Sequence, residues 1–422
     1  MIRSILHKNK KVIANYSHMT ALHVLNSFFY LLIYPYVISA VGVEQYGSFV
    51  FGTSVASYFI MFVSFGFDIH AAKLVSLDAN NRAVHAHLLS CVTIAKLLLQ
   101  IAAAGVFLLL IIIFPIMRDN IYILLICFCN TFSAVFLPVW YFHGSQKMWI
   151  VTAVQLSAKI IGLPLIFLFV KTGSDIYIYA QIIVSTNIIS GVVLFLIAMS
   201  VIVCRLPAPS VADIKKIILD VQPFFWSTAI TSIKQRSVET LIGVLFGMKE
   251  VAIYDLANKI FSIPSILVSN INVALFPALV GRIQVEQVRK IIRYEIYLGV
   301  ACILFVLFFG AWVVGLKFAS ELYDAYPISI ILSINIMTIL VVGGFIYFVF
   351  VPQHRYDLIL KNQLVSIFSF SLACALFLLI RFNMYSIILA LVVSAVAEIV
   401  YSSMQIRNLK KSNQIPSIST KI

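Results

Sequence analysis

From Ile121 to Phe142 the chain reads IYILLICFCNTFSAVFLPVWYF, with no charged residue in it. A helix needs about 20 such residues to cross the ~30 Å apolar core of a bilayer. Runs of this kind recur along the chain, separated by short polar punctuation, at about 14–41, 46–70, 86–114, 121–142, 151–170 and 176–203 in its first half. In its second half they fall at about 217–246, 251–281, 293–316, 325–350, 359–380 and 384–406. Lipid offers the backbone no hydrogen bonds, so each run must satisfy its own N–H and C=O groups, which a helix does. Charged residues make up 11% of the sequence and hydrophobic ones 62%, against about 25% charged in a soluble domain. The prediction is an all-α integral membrane protein with twelve transmembrane helices.

Topology follows from where Lys and Arg fall in the connectors, because cytoplasmic loops carry the positive excess. If the spans alternate strictly, one side receives the amino end, the connectors holding Lys73, Lys147, Lys215, Arg289 and Arg355, and the tail beyond Arg407. The other side receives Arg118, Lys171, Lys249, Lys317 and Arg381. Both ends are therefore expected in the cytoplasm. The net charge of +14 is mostly this topology signal and calls for no nucleic-acid partner. The basic amino end followed by an apolar stretch superficially looks like a signal peptide. That stretch runs on to about Val41 without an A-x-A-like cleavage site, so it reads as a retained first span. The six cysteines form no CxxC pair and the eight histidines show no zinc-ligand spacing, so no metal site is expected.

A weak internal repeat relates AVGVEQYGSF (Ala40–Phe49) to LFGMKEVAIY (Leu245–Tyr254), 205 residues on. Each joins one span to the next through a glycine and a short turn containing an acid. Two six-helix lobes in the same orientation are the expected architecture, a parallel pseudo-repeat with the substrate path between them. The lobes are predicted at 1–204 and 217–422, with 205–216, containing Pro207 and Pro209, as a cytoplasmic linker. Pro35, Pro164, Pro223, Pro264 and Pro277 fall inside spans, where each removes a backbone hydrogen bond and kinks its helix.

Charges at bilayer depth carry the functional reading. Each costs about 2.5–3.5 kcal/mol on insertion scales, so such residues face a bundle interior or a water-filled cavity. The seventh span holds Lys234, Arg236 and Glu239, and the eighth holds Asp255 and Lys259. Arg236 and Glu239 are three apart and share a helix face; Asp255 and Lys259 are four apart with the acid first, the better order for a pair. A structural reading pairs these four off. Lys234 has no local partner, and Lys96 and Lys159 are alone on their helices. These cations outnumber Glu239, Asp255 and the more peripheral Glu398, which points to a cationic central cavity for an anionic substrate.

Several stretches resemble Wzx-type O-antigen flippases of the multidrug/oligosaccharidyl-lipid/polysaccharide flippase superfamily. They are NYSHMTALHVLNSFFYLLIYPYVISAVGVEQYGSFVFG at the amino end, SFGFDIHAAKLVS, YFHGSQKMWIVT and, above all, YDLANKIFSIPSILVSNINVALFPAL. The resemblance extends over nearly the whole chain and is weakest in the last two spans. It implies a V-shaped, alternating-access transporter of the bacterial inner membrane, not an enzyme. The implied cargo is an undecaprenyl-pyrophosphate-linked O-antigen oligosaccharide moved from the cytoplasmic to the periplasmic leaflet. Its further implied partners are membrane lipids, a polysaccharide polymerase and a chain-length regulator. Lys259 stands within the family-like YDLANKI, and the other cations suit a pyrophosphate because charge-assisted hydrogen bonds hold it.

No GxxxxGK[ST] motif is present, so the chain does not carry an ATP site of that type. The resemblance suggests coupling to a proton or sodium gradient, with Asp255, Glu239 and Glu398 as candidate carriers and no other cofactor. The alternatives are a flippase for a capsule or teichoic-type precursor, a drug exporter and an O-antigen polymerase. A polymerase needs a sizeable outer loop, whereas the longest connector on the outer side, around Lys317–Ala325, has about ten residues. An exporter of organic cations favours acidic cavities.

Overall fold

The computed structural model describes Leu25, Phe29 and residues 33–78, 81–202, 207–269, 271–272, 285–315, 322–353 and 355–411. The described chain is helical throughout apart from turns and short links. It divides into two compact units between Val251 and Ala252.

The first unit holds α1 (33–41), α2 (Val43–Ser64), α3 (Phe67–Leu77), α4 (Arg82–Ile113), α5 (Pro115–Asp119), α6 (Ile121–Cys129) and α7 (Thr131–Phe136). It continues with α8 (Val139–Gly144), α9 (Met148–Phe169), α10 (Ile176–Ile202) and α11 (Val211–Phe246), and takes in the first turn of α12 (Met248–Ser269). The second unit holds the rest of α12, then α13 (Val285–Gly315), α14 (Ala325–Ser333), α15 (Asn335–Phe345), α16 (Tyr356–Ile380) and α17 (Met384–Lys411).

Among the described residues, ten stretches are long and apolar enough to cross a membrane, and they correspond to ten of the twelve expected spans. The expected span 14–41 lies outside the described residues except for Leu25, Phe29 and 33–41. The expected span 217–246 forms as the 36-residue helix α11, but its charges keep it out of the apolar set. Helix α11 also begins earlier than hydropathy suggests. Ser210 and Asp213 make a capping box, each side chain answering the other's backbone N–H, and this starts the helix at Val211. The expected linker 205–216 is therefore helical over its last six residues. Because α11 packs on α2, α3 and α4, it clusters with the first unit. The compact units divide after α11.

Two breaks inside expected spans have local causes. Phe65 (φ 44) and Gly66 (φ 77) are both left-handed and separate α2 from α3. That conformation is costly for a side-chain-bearing residue, and here the Phe65 ring stacks on Phe225 of α11 at 4.4 Å. The span 121–142 is three helices, interrupted at Asn130 and at the extended Leu137 before Pro138. The residue before a proline is pushed out of the helical region. Pro164 and Pro264 lie inside α9 and α12 as expected, whereas Pro277 lies outside the described residues.

The first unit's interior is aromatic. Phe107 stacks on Phe128 at 4.2 Å, and Phe59 meets both edge-on. Trp140 and Tyr141 are buried in a second cluster with Phe142. In the second unit, α16 and α17 pair through a polar seam. The Ser366 and Ser394 hydroxyls lie 3.1 Å apart, Ser366 donates to Glu398, and Ser402 donates to Asn362 at 3.1 Å.

Candidate functional site

Helix α11 brings its charges to the same unit as a polar strip on α2. Ser54 and Tyr58, one turn apart on α2, face Ser237 and Thr240 on α11. The Ser54 hydroxyl lies 3.1 Å from the Thr240 hydroxyl and donates to the Arg236 carbonyl at 3.3 Å. The Tyr58 hydroxyl donates to Ser237 at 3.4 Å. Val221, Ala229, Val238 and Ile242 bury the rest of the α11 contact face.

Arg236 stands beside this strip. Its side chain is 49% exposed, and its nearest acid, the buried Glu239, is 3.6 Å from a guanidinium nitrogen. That is longer than a hydrogen bond, so the planar fork keeps donors to offer. Arg236 lies ten residues from the end of α11, about 15 Å at helical rise and so about half the thickness of the apolar core. Lys234, half-buried, is on the same helix.

The other sequence-predicted cations stand differently. Lys96 of α4 is 2% exposed; its ammonium donates to the Ala134 carbonyl of α7 at 3.0 Å and lies 3.7 Å from Asp68 of α3. Alone on its own helix, it finds its partners on neighbouring elements. Lys159 is half-buried on α9. Lys259 and Asp255 belong to the second unit and form the ion pair their spacing suggests; Glu398, in the same unit, accepts from Ser366. The structure thus brings together Arg236 with Glu239 and Asp255 with Lys259. Of the five cations, Arg236 is the one that stands exposed; Lys96 is buried and Lys159, Lys234 and Lys259 are partly covered. Sequence reasoning missed the Ser54, Tyr58, Ser237 and Thr240 strip, although its four- and three-residue spacings mark one face of each helix.

The helix arrangement has a counterpart among solved structures. It superposes on an inward-facing multidrug resistance MATE family transporter of the MOP superfamily with a TM-score of 0.71, at 15% identity, covering 92% of this chain and 96% of that one. The fold is that of a multi-pass membrane protein. Residues 12–281 match the family described as polysaccharide biosynthesis protein, and the chain belongs to that family. Its curated relatives include two proteins named "Putative O-antigen transporter". The Escherichia coli (strain K12) protein is 24% identical over 62% of this chain, and the match spans 63% of that relative's length. The Shigella dysenteriae protein is 24% identical over 75% of this chain and 82% of its own length.

Proposed function

We propose that this protein is a flippase for a lipid-linked polysaccharide precursor, moving an undecaprenyl-pyrophosphate-linked O-antigen unit from the cytoplasmic to the periplasmic leaflet of a bacterial inner membrane. It works by alternating access, carries out no covalent chemistry, and has both ends in the cytoplasm. The observation that carries this reading is Arg236, a half-open guanidinium at mid-bilayer depth beside a strip of hydroxyls. A diphosphate diester has about two negative charges, and guanidinium is the group that binds such an anion bidentately while losing little hydration. Lys234 adds charge on the same helix, and the hydroxyl strip fixes the face of α11 that bears Arg236 against α2. The relatives' names and the transporter fold support the same reading. A half-open guanidinium at that depth favours an anionic cargo over the organic cations of a drug exporter.

Deleting the gene and analysing glycan on the surface and on lipid carrier tests this. Loss of long surface polysaccharide, with single lipid-linked units accumulating on the cytoplasmic face, is the expected result. Single units that still reach the surface but are never lengthened would instead indicate a polymerase.

A further inference from the structure

Among the described residues, one buried acid of the second unit has no counter-charge. Helix α13 buries a stripe at Glu295, Gly299, Cys302, Val306 and Val313, the repeat that puts one helix face into a core. Glu295 occupies a position where that pattern calls for an apolar residue, and it is 3% exposed. Neither of its carboxyl oxygens has a hydrogen-bond partner. The Asn272 carboxamide lies close by and is equally buried. Its Nδ2 donates to the Leu340 carbonyl of α15 at 3.1 Å, while its Oδ1 has no partner.

The surroundings are closed. A β-carbon on Gly344 would lie 2.6 Å from Glu295 Oε2, and one on Gly343 would lie 2.9 Å from Asn272 Nδ2. The two glycines let α15 pack directly over both polar groups, with no room at that face for water. Among the described residues, α15 and Asn272 with its neighbour Ile271 bring no titratable group. Helix α14 brings Tyr326, whose hydroxyl donates to the Leu307 carbonyl at 3.1 Å. Helix α12 contributes Asp255 and Lys259, which pair with each other. On α13 itself Arg289, Lys290, Arg293, Tyr294 and Tyr297 are exposed.

The one donor beside the carboxyl is Asn272 Nδ2, and the Leu340 carbonyl already engages it. A buried carboxylate in that position sheds its charge by taking a proton. One proton removes the charge that neither a cation nor a free donor answers. From this geometry we infer that Glu295 and Asn272 form a proton-binding site in the second unit, loaded when α15 packs on α13. Releasing the proton leaves a carboxylate that needs water or a cation, and neither reaches it until α15 separates from α13. Proton occupancy and helix packing are thus linked, and each shifts the other. That the proton drives glycan movement rests on the flippase reading; the site itself does not.

The test has two arms on the full-length protein in lipid. Infrared spectra at neutral pH should show a protonated-carboxyl band in the wild type that is lost in Glu295→Gln, a variant that keeps the shape of the protonated acid and so folds. Identical spectra would overturn the site. In proteoliposomes loaded with undecaprenyl-diphosphate-linked oligosaccharide extracted from the source strain, a proton gradient should speed wild-type flipping several-fold and leave Glu295→Gln flipping unchanged. If Glu295→Gln responds to the gradient as the wild type does, the site does not couple. If the wild type does not flip the glycan while the infrared band is present, the flippase reading fails and the proton site stands.

Discussion

Met248 places its carbonyl oxygen where a β-carbon on Gly47 would have to go; the separation would be 1.7 Å. The contact joins the two turns that the repeat relates. Gly42 (φ 87) and Gly247 (φ 103) both adopt a conformation closed to most L residues, and each is followed at once by a new helix. The first turn of α12 then settles against α2 at Gly47. A methyl group there must displace backbone. Gly47→Ala is expected to cost about 1–3 kcal/mol, seen as a lower Tm for the purified protein. Gly105→Ala is the control: nothing lies within 4 Å of its β-carbon, and in mid-helix alanine is the better residue by about 1 kcal/mol. Equal Tm changes in the two variants would show that the contact with Met248 does not matter.

Arg236→Ala should abolish surface glycan while the protein stays inserted and abundant, because a half-exposed guanidinium contributes little to packing. Lys234→Ala should also impair export. Arg236→Lys should restore only part of it, since an ammonium cannot make the two-pronged contact. Export at the wild-type level in Arg236→Ala would remove this residue from the substrate path.

Lys96 is expected to behave as a core residue. Lys96→Met keeps the apolar length of the stem and should retain export. Lys96→Ala empties a buried site and should lower stability by about 2–5 kcal/mol, measured by thermal unfolding. If Lys96→Met folds normally and exports nothing, the ammonium serves the substrate after all.

The start of α11 should be sensitive to acid. Asp213 lies before the expected span, and its carboxyl is held below the ordinary carboxylate range, first by the Ser210 hydroxyl and then by the Ser210 backbone N–H. A carboxyl held low releases its proton more readily in the folded chain. Its contribution is complete above the unfolded value, near 3.8, and is lost as pH falls through the lower folded value. Deuterium exchange in the first turn of α11, corrected for intrinsic rate, should therefore rise in acid in the wild type. In Asp213→Asn it should be raised at all pH values and nearly independent of pH.

Much of this architecture is legible in hydropathy, because lipid leaves a chain few choices and a charge-free run of twenty residues has to be a helix. Local pairs were legible too: the spacings of Arg236 and Glu239 and of Asp255 and Lys259 anticipate their contacts. What spacing within one helix does not reveal is what a neighbouring helix brings. Lys96 looks solitary until α3 supplies Asp68 and α7 the Ala134 carbonyl. Glu295 looks like one more charge in a basic end, RKIIRYE, until the buried stripe through Gly299 and Cys302 is seen to pass through it. The early start of α11 was available from Ser210 and Asp213, a capping signature that an apolar window does not register.

The seam between α16 and α17 bears on how the chain is made. Ser366, Ser394 and Glu398 satisfy one another, as do Asn362 and Ser402, and only a tight link around Arg381–Asn383 separates the helices. Helix α16 emerging alone into lipid would expose Asn362 and Ser366 unanswered, and α17 alone would expose a glutamic acid. Helices α16 and α17 are therefore expected to enter the membrane together, as one hairpin rather than as two separate spans.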